Sequence, residues 1–245
     1  MSDLYIVLGT PGSGRRELVA QLIDGLPGTT RVYVSRAEKP DAAGDAALAA
    51  LPEAERREWF TDGEQLDVPA AEDSPATVVF ITEGARSPVD QLEILSALIP
   101  RLGWRLARIL TVVDCDLAAR TPALADWFKA CIHFSDAVLL HRRENVTPAF
   151  DRDFLKAYDK DCHPALFERT KKGRITNPDL VLLPEARRLS QVFDEDRNPL
   201  DDMVFDEDNL PDEPFDLVNK TDPYFERDDR GGRRIRIPVI GEYLQ

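Results

Sequence analysis

Three glycines near the N-terminus are spaced to hold a phosphate group. The stretch GTPGSGRR at residues 9–16 places Gly9 and Gly14 in the pattern G-x-x-x-x-G, with Gly12 between them. Glycines at this spacing let the backbone form a concave turn whose N–H groups face an anion. A helix that begins directly after the turn favours the same negative charge. We therefore expect the following residues of this turn to bind phosphate: Gly9, Thr10, Gly12, Ser13 and Gly14.

Two arginines follow the turn, where phosphate-binding loops of this spacing carry Lys and then Ser or Thr. Arg15 keeps the positive charge of the lysine on a wider, fork-shaped group. Arg16 has no acceptor atom that could ligate magnesium. Because magnesium neutralises charge that develops during phosphoryl transfer, we expect the change to weaken hydrolysis more than binding.

Alternating strands and helices must position this turn. Short apolar runs recur as LYIVL, TRVYV, TVVFIT, RILTVV and DAVLLH, and the segments between them have helical spacing. Continuous β-branched runs of this length are typical of strands buried on both faces of a parallel sheet. Ser87 before Pro88 and Thr121 before Pro122 have the residue types that begin helices. The sequence therefore predicts a three-layer α/β domain with a mainly parallel sheet.

The charge of the chain is concentrated near its C-terminus. The 245 residues carry a net charge of −14, of which residues 194–229 supply −12, with fifteen acidic and three basic side chains. Residues 230–245 carry +3, and their run RRIRIPV alternates charged and apolar residues as an edge strand does. We predict a domain at 1–193 and an acidic, irregular extension at 194–245 that ends in a strand-like basic segment. This extension would contact a protein partner or a second copy of the chain, or it would lie over the chain's own surface. The alternative is a solvating tail that adds only solubility.

The composition also argues against several classes of protein. An acidic chain would repel nucleic acid, and its apolar runs are shorter than the roughly 20 residues of a membrane span. The start of the chain has no cationic segment of the kind that directs export, so we expect a soluble, cytoplasmic protein. The three scattered cysteines favour reduced thiols, and their spacing to histidine matches no zinc pattern, so no metal site is predicted.

Three later stretches, together with the phosphate loop, resemble the CobW family of P-loop GTPases. They are VVFITEGARSPVDQL (78–92), ILTVVDCD (109–116) and FSDAVLLHRRENV (134–146), and the resemblance covers roughly residues 3–146. The family patterns are hhhhExxGhxxP, hhxVVDa and aDxhhLNKxDh, where h is apolar and a is Ala or another small residue. The resemblance implies a P-loop NTPase-like fold. It also implies a site that reads a guanine base.

The resemblance assigns roles to residues that differ from the family pattern. The base-reading NKxD aligns with residues 141–144, so Glu144 would accept hydrogen bonds from guanine, Arg142 would stack on the base, and His141 stands in place of Asn. Ile81 takes the place of the acid that supports magnesium, unless Glu83 substitutes for it. The metal-binding CxCC of the family is missing, so the resemblance implies no metal delivery.

Two functions of different classes follow from these observations. The first is a nucleotide-binding protein that takes GTP, GDP or another purine nucleotide with weak magnesium dependence and with weak or absent hydrolysis. As an enzyme it would be a GTPase or another NTPase. The alternative is a pseudo-GTPase scaffold that no longer binds nucleotide and acts through its extension. A small-molecule kinase is disfavoured because the sequence contains no recognisable lid or acceptor-site motif.

Overall fold

The computed structural model describes residues 1–24, 26, 28–62, 65–68, 77–194 and 221–243. Within these residues the chain forms an eight-stranded sheet in the order β4-β3-β2-β5-β1-β6-β7-β8. The strands are β1 (Ser2–Gly9), β2 (Thr30–Ser35), β3 (Ala54–Asp62), β4 (Gln65–Asp67), β5 (Thr77–Ile81), β6 (Trp104–Asp114), β7 (Ala137–His141) and β8 (Leu166–Arg169). All neighbouring pairs are parallel except β3 and β4. The prediction of an α/β fold with a mainly parallel sheet is confirmed.

Helices connect the strands. They are α1 (Arg15–Ile23), α2 (Ala42–Ala49), α3 (Pro88–Leu98), α4 (Cys115–Arg120), α5 (Ala125–His133), α6 (Pro148–Lys160) and α7 (Pro178–Leu182). The predicted start of α3 is observed, since Asp90 donates its N–H to the Ser87 hydroxyl at 3.2 Å. The second predicted start differs: the Thr121 side chain caps nothing, and a 3₁₀ turn precedes α5. In the part of the chain described here, no helix is long and apolar enough to cross a membrane.

The sheet is buried on both faces. Tyr5 and Val7 of β1 pack in one cluster with residues of α1, α2 and α7. The opposite face carries Thr111 of β6, whose hydroxyl contacts the Ser135 hydroxyl at 2.6 Å, just beyond the end of α5. Residues 4–8 of β1 are all buried. The sheet is therefore the middle layer of three.

A buried carboxylate ties the segment after α7 to the sheet. Asp136, directly before β7, is fully buried. One of its oxygens accepts the N–H of Ile109 at 2.7 Å. The other accepts the N–H groups of Arg187 at 2.7 Å and Arg188 at 3.2 Å, and the Arg188 guanidinium lies 3.1 Å away. This single side chain thus joins two strands to the segment that follows α7.

The contacts divide the chain into two units. The first comprises Met1–Leu189 with Ile237–Gln245, and the second comprises Ser190–Arg236. The last residues therefore do not form one extension with residue 194 onward, because Ile240 is buried in the structure of the first unit. Most of the predicted acidic segment, residues 195–220, lies outside the described residues.

The predicted terminal strand does not form. In the described range 221–243, residues 234–239 belong to no strand, and the nearest pairing is an isolated bridge between Arg227 and Arg233. Pro238 has no N–H to donate to a neighbouring strand, which removes one hydrogen bond from any ladder that this run could form. The second unit instead contains a turn in which the Arg233 guanidinium lies 5.6 Å from the centre of the Phe225 ring.

Candidate functional site

A cavity lies where the parallel strands end. The loops after β1, β2, β5, β6 and β7 leave the same edge of the sheet, which is the usual binding edge of open α/β folds. The cavity has a volume of about 620 Å³, within the range of small-molecule sites. It is lined by Pro11, Gly12, Ser13, Gly14, Arg15, Arg16, Ala37, Glu38, Lys39, Pro40, Asp41, Ala85, Arg142 and Gly241.

The loop between β1 and α1 has the geometry of an anion-binding turn. Gly12 and Gly14 have φ angles of 69° and 81°, in the left-handed region that favours glycine. The N–H of Ser13 donates to the Thr10 carbonyl at 3.2 Å and closes the turn. No side chain caps the start of α1 at Gly14. The first N–H groups of the helix therefore point toward the turn without a side-chain acceptor.

Two hydroxyls of this loop are buried and unpartnered. The Oγ1 atom of Thr10 and the Oγ atom of Ser13 make no hydrogen bond within the described residues, although both residues are almost completely buried. An unpaired buried hydroxyl carries a desolvation penalty of about 1–3 kcal/mol. Ser13 borders the cavity. Its Oγ atom, however, is buried and lies 3.1 Å from the point that a Cβ atom on Gly9 would occupy, so it packs behind the loop and not against the cavity.

Arg15 is held by a buried carboxylate. Its Nη2 atom lies 2.8 Å from Oε1 of Glu38, and its Nη1 atom donates to the Thr82 carbonyl at 2.6 Å. The two side chains are 4% and 7% exposed. Burial lowers the pKa of Arg15, and the neighbouring Glu38 opposes that shift. The charge that the sequence places beside the phosphate loop is therefore already matched by an internal anion.

The second oxygen of Glu38 contacts the loop after β5. Its Oε2 atom accepts the N–H of Gly84 at 2.8 Å. Gly84 itself packs against the phosphate loop, because a Cβ atom there would lie 2.5 Å from the backbone nitrogen of Pro11. The Glu38 carboxylate thus joins three segments: the loop after β2, the start of α1 and the loop after β5.

The positions that would support magnesium do not fit the metal. Arg16 is paired with Asp45 of α2 at 2.8 Å and offers no acceptor. Ile81 is a buried aliphatic residue, and Glu83 does not border the cavity. The backbone of Glu83 is bonded to the Gln91 side chain, and burial raises the pKa of its carboxyl. Glu83 therefore does not replace the missing acid. The described residues contain no cluster of three or more side chains suited to a metal.

The residues aligned with the base-reading element separate in space. His141 is buried beneath the loop, where its Nδ1 atom lies 3.1 Å from the Thr170 hydroxyl, and burial lowers its pKa. Glu144 is exposed and does not border the cavity. Arg142 does border it, in a left-handed conformation (φ 56°), and donates to Oδ2 of Asp114 at 2.6 Å. Of the three residues expected at a base, the structure brings Arg142 alone to the cavity.

The other predicted residues lie at the loop. Gly12, Ser13, Gly14, Arg15 and Arg16 border the cavity, and Gly9 and Thr10 lie behind it, at the end of β1. Sequence reasoning missed the segment 37–41 and the single residues Pro11, Ala85 and Gly241, which also line the cavity. A signal for the first existed, since the run TRVYV predicts a strand whose following residues share the binding edge. For Gly241 the sequence contains no such signal.

Comparisons with known proteins identify no family. No family model and no curated protein matches the chain. Among solved structures it is similar to "Crystal structure of Zn(II)-bound YjiA GTPase from E. coli", with 11% identity and a TM-score of 0.43. The match covers 76% of this chain and 66% of that chain. It is a distant likeness in fold, and it assigns no family, activity or ligand to this protein.

Proposed function

We propose that the protein binds a purine nucleotide through its phosphates at the loop between β1 and α1. The observation that carries the proposal is the turn at residues 12–14, whose left-handed glycines and uncapped helix start border the cavity. A phosphate would accept hydrogen bonds from the helix N–H groups. The four collinear motifs that resemble the CobW family support a nucleotide over a simple phosphate.

The rest of the cavity suits the remainder of a nucleotide. Lys39 is exposed at its wall and supplies a cation, and the aliphatic and planar parts of Arg142 offer a surface on which a purine could stack. With Glu144 outside the cavity, its carboxylate is not placed to select guanine, so the proposal extends to adenine nucleotides.

We further propose that hydrolysis is weak or absent. Phosphoryl transfer depends on stabilising the charge that develops on the phosphate oxygens. Arg16 and Ile81 occupy the positions that would support magnesium, and the Arg15 guanidinium is held by Glu38. The site retains groups that bind a phosphate but has lost groups that promote its transfer.

A second candidate is a scaffold that binds no nucleotide. It is favoured by the two internal ion pairs, Arg15 with Glu38 and Arg16 with Asp45, which neutralise both arginines beside the loop. Both pairs form without any ligand. The two candidates differ in whether the loop takes up an anion.

The test is calorimetric titration with GDP, GTP, ADP and ATP on the wild type and on two variants of Gly12. Gly12 has a positive φ, and a Cβ atom there meets nothing within 4 Å. Asp and Asn both tolerate this conformation, so Gly12→Asp and Gly12→Asn differ essentially in one negative charge. We expect Gly12→Asp to bind nucleotide at least about tenfold more weakly than Gly12→Asn, by loss of about 1.4 kcal/mol. Absence of binding to the folded wild type would support the scaffold.

A further inference from the structure

The Glu38 carboxylate occupies two strong donors beside the phosphate loop. Its oxygens take the Arg15 guanidinium and the Gly84 N–H, each at 2.8 Å. The side chain is almost completely buried, and Glu38 borders the cavity. The Glu38 carboxylate is therefore a negative charge that belongs to the protein itself and lies at the proposed phosphate site.

These donors are the ones that the outermost phosphate of a nucleoside triphosphate would need. The basic residue that follows the loop glycines normally reaches the β- and γ-phosphates, and in this chain that residue is Arg15. A guanidinium binds carboxylate and phosphate oxygens by the same forked hydrogen bonds. Glu38 and a third phosphate would therefore compete for the same donors.

We propose that Glu38 takes the place of the terminal phosphate, so that the site accepts a nucleoside diphosphate in preference to the triphosphate. This inference rests on the proposed function. The donors that a diphosphate needs, the N–H groups at the start of α1, lie outside the contacts of Glu38. A triphosphate must either displace Glu38 or bring its last phosphate against a carboxylate, and the two negative charges repel each other.

The segment that carries Glu38 is short and anchored at both ends. It begins after Ser35, the last residue of β2, and ends at Asp41, whose carboxylate accepts the N–H of Gly44 and caps α2. Within the segment, the N–H of Glu38 donates to the Ser35 carbonyl at 3.3 Å and the N–H of Ala37 donates to the Ser35 hydroxyl at 3.2 Å, so hydrogen bonds hold the backbone of Glu38 close to the end of β2. Retreat of Glu38 from the site would also leave the buried Arg15 guanidinium without its carboxylate.

The experiment compares affinities for GDP, GTP, ADP and ATP, with EDTA present to remove divalent metals. For the wild type we expect each diphosphate to bind at least about tenfold more tightly than its triphosphate. Glu38→Gln keeps the shape of the side chain and removes its charge. We expect this variant to bind the triphosphates at least about tenfold more tightly than the wild type does, and to lose the preference.

Glu55→Gln is the matched control. Glu55 of β3 forms a similar ion pair with the buried Arg31, at 2.7 Å, and does not border the cavity. It should keep the wild-type preference. Equal binding of diphosphates and triphosphates by the wild type, or an unchanged preference in Glu38→Gln, would overturn the inference while leaving nucleotide binding intact.

The remaining outcomes are also decisive. If neither the wild type nor Glu38→Gln binds any of the four nucleotides, the proposed function fails, and the inference that rests on it fails as well. If Glu38→Gln does not fold, the preference measured on the wild type alone decides the inference.

Discussion

The Nε2 atom of His141 lies 2.8 Å from the point that a Cβ atom on Gly14 would occupy. The imidazole therefore packs against the back of the phosphate loop. It fits there because Gly14 has no side chain. Gly12, two residues earlier, has a similar positive φ but faces open space. The two glycines differ in packing and not in backbone conformation.

Replacing each glycine by alanine separates these two effects. Both variants place a side chain in a left-handed conformation, which costs about 1–2 kcal/mol. Gly14→Ala also forces the His141 ring to move, and overpacking of this kind adds about 1–3 kcal/mol. We expect urea denaturation to show a larger loss of unfolding free energy for Gly14→Ala than for Gly12→Ala. Equal losses of unfolding free energy would show that the His141 ring moves aside without a measurable energetic penalty.

The Arg15 and Glu38 pair predicts a strong effect of Arg15→Ala. The change leaves a buried carboxylate without its cation, which costs about 3–5 kcal/mol of unfolding free energy. The unpaired charge beside the loop should also weaken diphosphate binding by about tenfold or more. Arg143→Ala is the control, because its partner Asp151 keeps a second cation, Arg169, at 3.2 Å. Similar losses for the two variants, in stability and affinity, would contradict this prediction.

Magnesium should matter little for diphosphate binding. Arg16 has no acceptor, Ile81 is aliphatic, and Glu83 does not border the cavity. We expect calorimetric affinities for GDP or ADP to be nearly the same with magnesium and with EDTA. A large loss of affinity on chelation would mean that a carboxylate at the cavity, Glu38 or Asp41, holds the metal together with the phosphates.

The conformation of the phosphate loop could be predicted because it depends on local sequence. The glycine spacing and the strand before it specify the turn at residues 9–14, because a single short segment contains all the information. The role of Glu38 could not be predicted from the sequence, because its contacts depend on β2 and β1 both pairing with β5. Such pairing is a long-range property of the sheet. The direction of His141, beneath the loop and away from the cavity, depends likewise on the strand order β1-β6-β7, which brings the end of β7 close to Gly14.

Stability should fall as the pH drops below about 6.5, the ordinary pKa of histidine. Burial lowers the pKa of His141, and nearby Arg142 lowers it further, although Glu144, Asp114 and Glu17 act in the opposite direction. The unfolded chain then binds a proton that the folded chain does not, so the free energy of unfolding rises with pH in this range.

The variant His141→Gln tests how much of the pH dependence of stability comes from His141. Because His163 also has its pKa lowered by burial, part of the dependence should persist in the variant. The quantity to compare is the slope of the unfolding free energy above and below about pH 6.5, and not its level. If the variant has the same slope as the wild type, His141 does not contribute to the pH dependence of stability.

The C-terminal residues should contribute to the stability of the first unit. Ile240 is 2% exposed, and truncation of a fully buried Ile to Ala costs about 2–5 kcal/mol. Ile235, which is 41% exposed, is the matched control, and surface changes of this kind stay within about 0.5 kcal/mol. Thermal melts of Ile240→Ala and Ile235→Ala give the comparison. Equal melting temperatures would show that the C-terminal residues can detach without cost.

The carboxylate of Asp136 sets an order of events during synthesis on the ribosome. Asp136 precedes β7, but three of the four contacts described above come from Arg187 and Arg188, about fifty residues later in the chain. When only the residues up to α7 have left the exit tunnel, this acid would lack most of its partners, because Arg187 and Arg188 would still be inside. The half of the sheet around β7 therefore reaches its final form only after this late segment has emerged, although the phosphate loop is among the first parts to be made.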